Sequence, residues 1–297
     1  MHLCISLVKL ALGWPWVGLG LAMACVGRLA ILNMTERQAL IAGLEAARRT
    51  RAAVALPRVD HPELTLETAY VVQQDWVASR IKNEGRRAIG YKVALTTRGL
   101  QRAFGTDGPV FGVLLDDMEF DEGAPIPIDR FVAPKVEMEL CFRMARRLAG
   151  PCSEADAIAA IDWIAPAIEI LDSRTVMFDP ASGQARSAID IVADAGGAAG
   201  FVVSPRRMSQ GDTDLSRMGA VLYHNGEAED SGLFSLVFGR PERALTWLAG
   251  ALAEQGRAIE AGDMVLSGSV IKPYPVARGD RFEFDYGSSG TIALRFE

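Results

Sequence analysis

The chain has 297 residues, 49% of them hydrophobic and 23% charged, so it can bury a substantial core and is too apolar to be disordered. Its net charge is −6 and no basic run exceeds an Arg-Arg pair, which excludes a nucleic-acid footprint. The four cysteines (Cys4, Cys25, Cys141, Cys152) have no metal or redox spacing, and there are only three histidines (His2, His61, His224). A disulfide scaffold, a histidine zinc site and a Ser-His-Asp triad are therefore disfavoured, leaving carboxylates, lysines, hydroxyls and backbone to supply any chemistry.

Residues 1–33 differ from the rest, being almost wholly apolar from Leu10 to Leu32. Three readings stand: a secretory signal, with Lys9 the only firm positive charge before the apolar run; a membrane anchor; or an upstream artefact with translation starting at Met34. Thr35-Glu-Arg-Gln38 reads as a capping box opening an amphipathic helix through Leu40, Ile41, Leu44 and Ala47. A second helix is predicted from Leu66 to Lys82, with Ala69, Val72 and Trp76 on one stripe and a stop at Asn83-Glu-Gly85. Short strands follow at Gly90–Thr97 and Pro109–Met118, then a longer one at Val132–Phe142. Ser153 caps a helix to about Ile164, which leads into a strand ending in Asp172-Ser-Arg174. Ser187 to Gly200 reads as a helix before the strand Phe201-Val-Val. The last third is strand-rich. It has a two-residue hairpin at His224-Asn-Gly226, a helix after Pro241 with Leu245, Leu248 and Leu252 in register, and a terminal hairpin in which Phe282, Phe284, Tyr286, Ile292, Leu294 and Phe296 alternate with polar residues. Helices early and strands late give an α+β class. The expected organisation is a leader (1–33), a helical N-terminal part (34–105) and a β-rich catalytic domain (106–297). No membrane contact is expected for the main domain, and no nucleotide-binding glycine motif occurs.

Glu137 and Glu139 lie two residues apart in an apolar run, so both point to one strand face. Such a pair is either a solvated face or an oxygen-rich cation site. Glu169, embedded in a second apolar strand, tips the balance towards a divalent cation, because three buried like charges need one. Lys92 sits between Tyr91 and Val93. It is either a snorkelling edge lysine or a partly buried one whose pKa desolvation lowers, so that it moves protons. Thr96 and Thr97 are donors for a substrate carboxylate or strand-end caps; Asp116 and Asp117 are a second acid pair or turn acids. Asp172 and Arg174 follow Glu169 and line the same pocket or pair with each other. Asp190 and Asp194 share a helix face, and Ser269 and Lys272 occupy a loop placed to close the site.

Several of these segments occur in the order seen in one family: Gly90-Tyr-Lys-Val-Ala-Leu-Thr-Thr97, Phe111–Met118, Val136-Glu-Met-Glu139, Ala167–Arg174, Asp190–Asp194 and the tail Gly268-Ser to Asp285-Tyr-Gly-Ser-Ser-Gly290. From Met34 to Glu297 the chain resembles the 2-keto-4-pentenoate hydratase / 2-oxohept-3-ene-1,7-dioate hydratase family, the hydratase–decarboxylase branch of the fumarylacetoacetate hydrolase superfamily. The resemblance implies a mixed, mostly antiparallel β-roll with a helical N-terminal part, and Mg²⁺ or Mn²⁺ held by Glu137, Glu139 and Glu169. It implies Lys92 as the acid–base residue; the reading of the residues adds Thr97, Asp116, Asp172, Arg174, Asp194 and Ser269 as candidates to face the substrate. The implied reaction adds water to a 2-hydroxy-2,4-dienoate, in meta-cleavage degradation of aromatic compounds. A cytoplasmic homo-oligomer is implied, with a pathway enzyme as a further partner. A 4-oxalocrotonate-type decarboxylase and a catalytically silent partner subunit are the alternatives. The chain departs from the family's pattern at Ala195 and Gly197, after Asp194.

Overall fold

The computed structural model describes residues 32–211 and 213–297. The three readings of the leader concern residues that lie outside this range, save its last two. Helices α1 (Met34–Thr50), α2 (Pro57–Asp60) and α3 (Leu66–Glu84) open the described chain, followed by β1 (Ala88–Ala94), α4 (Arg98–Ala103) and β2 (Val110–Leu115). Then come β3 (Glu119–Phe120), β4 (Pro125–Ile126), β5 (Lys135–Met144), α5 (Glu154–Ala159), β6 (Ile161–Leu171), β7 (Phe178–Asp179), β8 (Gln184–Ala185), α6 (Ala188–Ala193) and β9 (Ala198–Val203). The remainder is β10 (Gly219–His224), β11 (Glu227–Leu233), α7 (Arg243–Ala253), β12 (Met264–Leu266), β13 (Tyr274–Pro275), β14 (Arg281–Asp285) and β15 (Thr291–Phe296). This is the α+β architecture expected, with helices at the start and antiparallel pairing dominant.

Two sheets carry the fold. The larger runs β2-β1-β12-β5-β6-β9-β3, with β13 also on β5; the smaller runs β11-β10-β14-β15-β4. Alternation along β5 sorts its side chains. Val136, Met138, Leu140 and Phe142 are fully buried in one continuous core with Ile168 and Ile170 of β6 and with Phe282, Phe284, Ile292, Leu294 and Phe296 of the smaller sheet. The intervening positions, Glu137 and Glu139 among them, face the other way. Neither unbroken apolar runs nor alternation alone would do this. The strand must be buried on one side by aliphatics and on the other by something able to hold charge.

Local signals explain the helices, with some corrections. The first helix starts two residues earlier than Thr35-x-x-Gln38 suggests. Asn33 is its cap, accepting from Glu36 N–H (3.0 Å) while its own N–H donates to Glu36 Oε2 (2.8 Å). Asn caps as well as Thr, and glutamate at the third helical position closes the box. The helix predicted from Ser187 to Gly200 covers only Ala188–Ala193, because Ala195, Gly196 and Gly197 all adopt positive φ (53°, 68°, 76°) and the chain turns into β9. The helix after Ser153 likewise stops at Ala159 and β6 starts early. The second helix ends as predicted at Gly85, φ 67°. Gln73 of that helix is buried and donates to Phe111 O (3.2 Å) and Val192 O (3.0 Å), tying the helical part to β2 and α6.

The boundary expected near residue 105 crosses the large sheet, since β1 lies between β2 and β12. Leu32–Glu297 is one compact unit. Among the described residues no helix is long and apolar enough to cross a membrane.

One close approach bears on the site. Gly112 pairs directly with Lys92, and a methyl on it would collide with the carbonyl oxygen of Ala195. The Ala195–Gly197 turn thus lies on the Lys92 face of β2, backbone against backbone. Gly112→Ala is expected to lower stability by about 2–3 kcal/mol through overpacking against main chain that cannot move aside, read as a lower urea midpoint at unchanged m.

Candidate active site

The strands β5 and β6 run antiparallel with Glu137 opposite Glu169 and Glu139 opposite Ala167. That register brings three carboxylates to one face, and each offers an oxygen within 4.8 Å of the others. Lys92 comes from β1, two strands away through β12, with Leu266 as its register partner. Its Nζ lies 2.9 Å from Glu169 Oε1. Glu139 and Glu169 are 1% exposed and Lys92 2%, whereas Glu137 is half-buried. The cluster is therefore closed at the bottom and open on the Glu137 side.

The electrostatics follow from this burial. Desolvation, then the charge of Glu169, pushes the Glu137 carboxyl up to about 8, against opposition from Lys92 and Lys135. Desolvation and the charges of Glu169 and Glu137 hold Glu139 well above the ordinary carboxylate range. For Lys92 the structure corrects the sequence expectation. Burial does press its pKa down, but Glu169, Glu137 and Glu139 together outweigh burial and raise it. The lysine is a held ammonium, one positive charge against three acids. Glu139 Oε1 and Glu169 Oε2 are buried without a hydrogen-bond donor. Orphaned buried oxygens are costly, and a divalent cation that prefers hard oxygen ligands satisfies them. The residues present thus fit Mg²⁺ or Mn²⁺.

A testable consequence concerns pH. A cation ligates the ionised carboxylate, so binding must release protons held by the raised groups. Mg²⁺ affinity is expected to rise steadily from about pH 6 to pH 9 with net proton release, measurable by calorimetry in buffers of different ionisation heat. The sign for stability is opposite. A carboxyl raised from 4.5 to about 8 on folding contributes stability that is fully present below pH 4.5 and lost as pH rises through about 8. Without metal, the Glu137 contribution therefore falls across that window. A pH-independent Mg²⁺ affinity would contradict this account.

The edge of β5 beside the cluster has an irregular partner. β12 pairs with Cys141–Arg143 and β13 with Lys135 and Val136. Between them Ser267 N–H donates to Leu140 O (3.0 Å) and Val270 N–H to Met138 O (3.2 Å). Gly268 N–H turns out of the ladder and donates to Glu139 Oε2 (2.8 Å). Gly268 has φ 101°, and a Cβ there would sit 2.5 Å from Thr96 Cγ2, so the position requires glycine. Thr96 is thus the hydroxyl that comes beside the cluster. Leu95 before it is held at φ 57°, unusual for a bulky residue, with its carbonyl accepting from Gln101 Nε2 (2.9 Å). Tyr286 OH lies 2.7 Å from Ala167 O and 3.2 Å from Glu139 O, bridging the two strands at the cluster. The Gly268 amide, Leu95 and Tyr286 were not identified as site-shaping residues from sequence. Only Gly268 left a signal, as the glycine ahead of a hydroxyl loop.

The remaining sequence candidates lie elsewhere or are engaged by protein partners. Asp172 accepts from Val132 N–H (2.8 Å) and Ala133 N–H (2.7 Å), pinning the approach to β5. Arg174 donates through Nε to Asp194 Oδ1, through Nη2 to Asp194 O (2.6 Å) and through Nη1 to Ala198 O (3.0 Å). Arg186 adds a second ion pair to Asp194 (2.6 Å). These form a separate buried network that fixes the Ala195–Gly197 turn. Asp190 accepts from Arg58 and Ser187. Asp116 pairs with Arg87 near the surface. Thr97 caps α4, accepting from Leu100 N–H (3.3 Å). Ser269 Oγ donates to Ile271 O (3.0 Å). His224 is held in the smaller sheet by Asp280 (3.0 Å) and Tyr274 (3.2 Å), and His61 by Glu63 (3.5 Å).

The chain is 38% identical over 254 residues to the 2-oxo-hept-4-ene-1,7-dioate hydratase of Escherichia coli, covering 85% of this chain and 95% of that protein. It is 31% identical over 263 residues to the 2-keto-4-pentenoate hydratase of Paraburkholderia xenovorans strain LB400, covering 88% and 95%. Among solved structures, the 4-oxalocrotonate decarboxylase of Pseudomonas putida G7, complexed with magnesium and adipate, matches with a TM-score of 0.84 at 31% identity, over 90% of this chain and 99% of that one. No protein-family model matches.

Proposed function

This chain belongs to the 2-keto-4-pentenoate hydratase / 2-oxohept-3-ene-1,7-dioate hydratase family of the fumarylacetoacetate hydrolase superfamily, and from that membership and its carboxylate cluster we propose that it hydrates a 2-hydroxy-2,4-dienoate to a 4-hydroxy-2-oxo acid in meta-cleavage degradation of aromatic compounds. The observation that carries the reading is the convergence of Glu137, Glu139 and Glu169 with Lys92 at one buried point where Glu139 Oε1 and Glu169 Oε2 lack donors. In this reading the three glutamates hold Mg²⁺ or Mn²⁺. A bound divalent cation supplies electrophilic stabilisation of the negative charge that develops at the substrate's 2-oxygen. Lys92 holds a proton at Nζ. It delivers that proton to C5 of the dienol and recovers one from the 2-hydroxyl, so the lysine ends as it began and the dienol becomes a 2-oxo-3-enoate. Water then adds across the conjugated double bond, hydroxyl to C4 and proton to C3. Gly268 N–H keeps Glu139 oriented through the cycle, and the Ala195–Gly197 turn walls the Lys92 side.

The structural match to a 4-oxalocrotonate decarboxylase favours a second reading, decarboxylation of a 2-oxo dicarboxylic acid at the same cluster. Both reactions need the same enolate stabilised, so the ligand set does not separate them. The intact cluster favours an active enzyme over a silent subunit. The proposal extends to a cytoplasmic homo-oligomer working beside another enzyme of the pathway. The test is to incubate the Mg²⁺-loaded protein with 2-hydroxypenta-2,4-dienoate and with 2-oxohex-3-enedioate, following loss of dienoate absorbance and CO₂ release. Hydration without CO₂ supports the first reading, and CO₂ release supports the second. Turnover of neither, or turnover untouched by Glu137→Gln, overturns both.

A further inference from the structure

We propose that Lys135 binds a second, remote carboxylate of the substrate, so that the site prefers dicarboxylic dienoates over monocarboxylic ones. The inference rests on the hydratase reading of the cluster and names the substrate class of that same site. Lys135 opens β5, and strand alternation puts it on the face of Glu137 and Glu139. It stands two residues from Glu137, about 7 Å along the strand. Its register partners are Leu171 of β6 and Pro275 of β13.

Exposure sets the direction in which a substrate must lie. Lys92, Glu139 and Glu169 are sealed, while Glu137, Lys135 and Leu171 are half-buried. The mouth of the cluster is therefore at the Lys135 end of β5. A ligand whose carboxylate and 2-oxygen enter at the glutamates leaves its remaining carbons over Glu137, towards the lysine. Lys272, on the loop ahead of β13, is exposed, and the buried cations of β1 and of the chain after β6 are already committed. Lys92 is paired with Glu169, and Arg174 and Arg186 with Asp194. The Lys135 ammonium makes no hydrogen bond or ion pair among the described residues, yet its charge reaches Glu137. A half-buried ammonium without a partner, one strand repeat from a metal site, suits a carboxylate at the far end of a short acid.

The test compares kcat/KM for 2-hydroxyhepta-2,4-diene-1,7-dioate and 2-hydroxypenta-2,4-dienoate in the Mg²⁺-loaded natural chain, Lys135→Gln and Lys135→Arg. The natural chain is expected to favour the dioate. Lys135→Gln is expected to reduce that preference about tenfold, mainly through KM for the dioate, as loss of one half-exposed charge-assisted hydrogen bond would. Lys135→Arg should retain the preference. A ratio unchanged in Lys135→Gln, or a natural preference for the monoacid, overturns the inference while leaving the hydratase reading intact. Should the natural chain turn over neither substrate, the hydratase reading fails and the lysine is judged by binding alone. Adipate should then bind the Mg²⁺-loaded protein more tightly than hexanoate, with the difference lost in Lys135→Gln; equal binding overturns the inference.

Discussion

Glu169→Gln is expected to weaken Mg²⁺ binding by at least about 100-fold, the upper end of what losing even an outer partner costs a metal site, and to abolish turnover. Glu169 is the hinge of the cluster. It faces Glu137 across the β5–β6 ladder, is the carboxylate in contact with Lys92, and is the largest charged contribution to the raised pKa of both other glutamates. Removing its charge should therefore have a second signature. Glu137 should titrate below about 8, because a like charge directly opposite has gone. The fold should survive, since relief of repulsion among the acids partly offsets the unpaired Lys92. Calorimetric Mg²⁺ titration and a carboxyl NMR titration read the two effects separately. A variant that binds Mg²⁺ as tightly as the natural chain would remove Glu169 from the ligand set.

The second large effect belongs to Lys92. Lys92→Met keeps much of the stem volume in β1 and deletes the ammonium that sits 2.9 Å from Glu169. With no group to hold and move the proton, kcat is expected to fall by about 10²–10⁴ while Mg²⁺ still binds. Binding should tighten well above pH 8, where Glu137 is ionised and the glutamates no longer share their charge with an ammonium. At lower pH, Glu137 and Glu139 protonate more readily without Lys92, and metal competes with protons more strongly. Lys92→Arg should not restore turnover, because a guanidinium does not release its proton. Loss of kcat together with loss of Mg²⁺ binding would instead mark Lys92 as structural support for the glutamates.

Much of this was legible in the residues themselves. Period-2 alternation put Glu137 and Glu139 on one face of β5. Glu169 stood out because nothing in an apolar strand explains a carboxylate, and the shortage of histidine left few other chemistries. The capping and turn signals at Ser153, Gly85 and His224-Asn-Gly226 were local, and they held because a cap or a two-residue turn is decided by its own backbone. The helix expected to run to Gly200 failed for a tertiary reason. The Ala195–Gly197 turn must lie against Gly112 and feed β9, and three positive φ angles accomplish it.

The register of β5 on β6, and the passage of β1 to the same sheet through β12, depend on contacts far apart in sequence, so only the folded chain could show that Lys92 meets Glu169 rather than solvent. The sign of the Lys92 shift was decided there too, since one buried charge reads differently beside three acids than alone. The same holds for Arg174 and Asp194. Their residue types suit a substrate carboxylate, but the fold places them against each other, where pairing satisfies both. The sequence by itself determined which residue types could hold a cation. The tertiary structure decided which of them share a point in space, because proximity across strands is set by register and not by spacing along the chain.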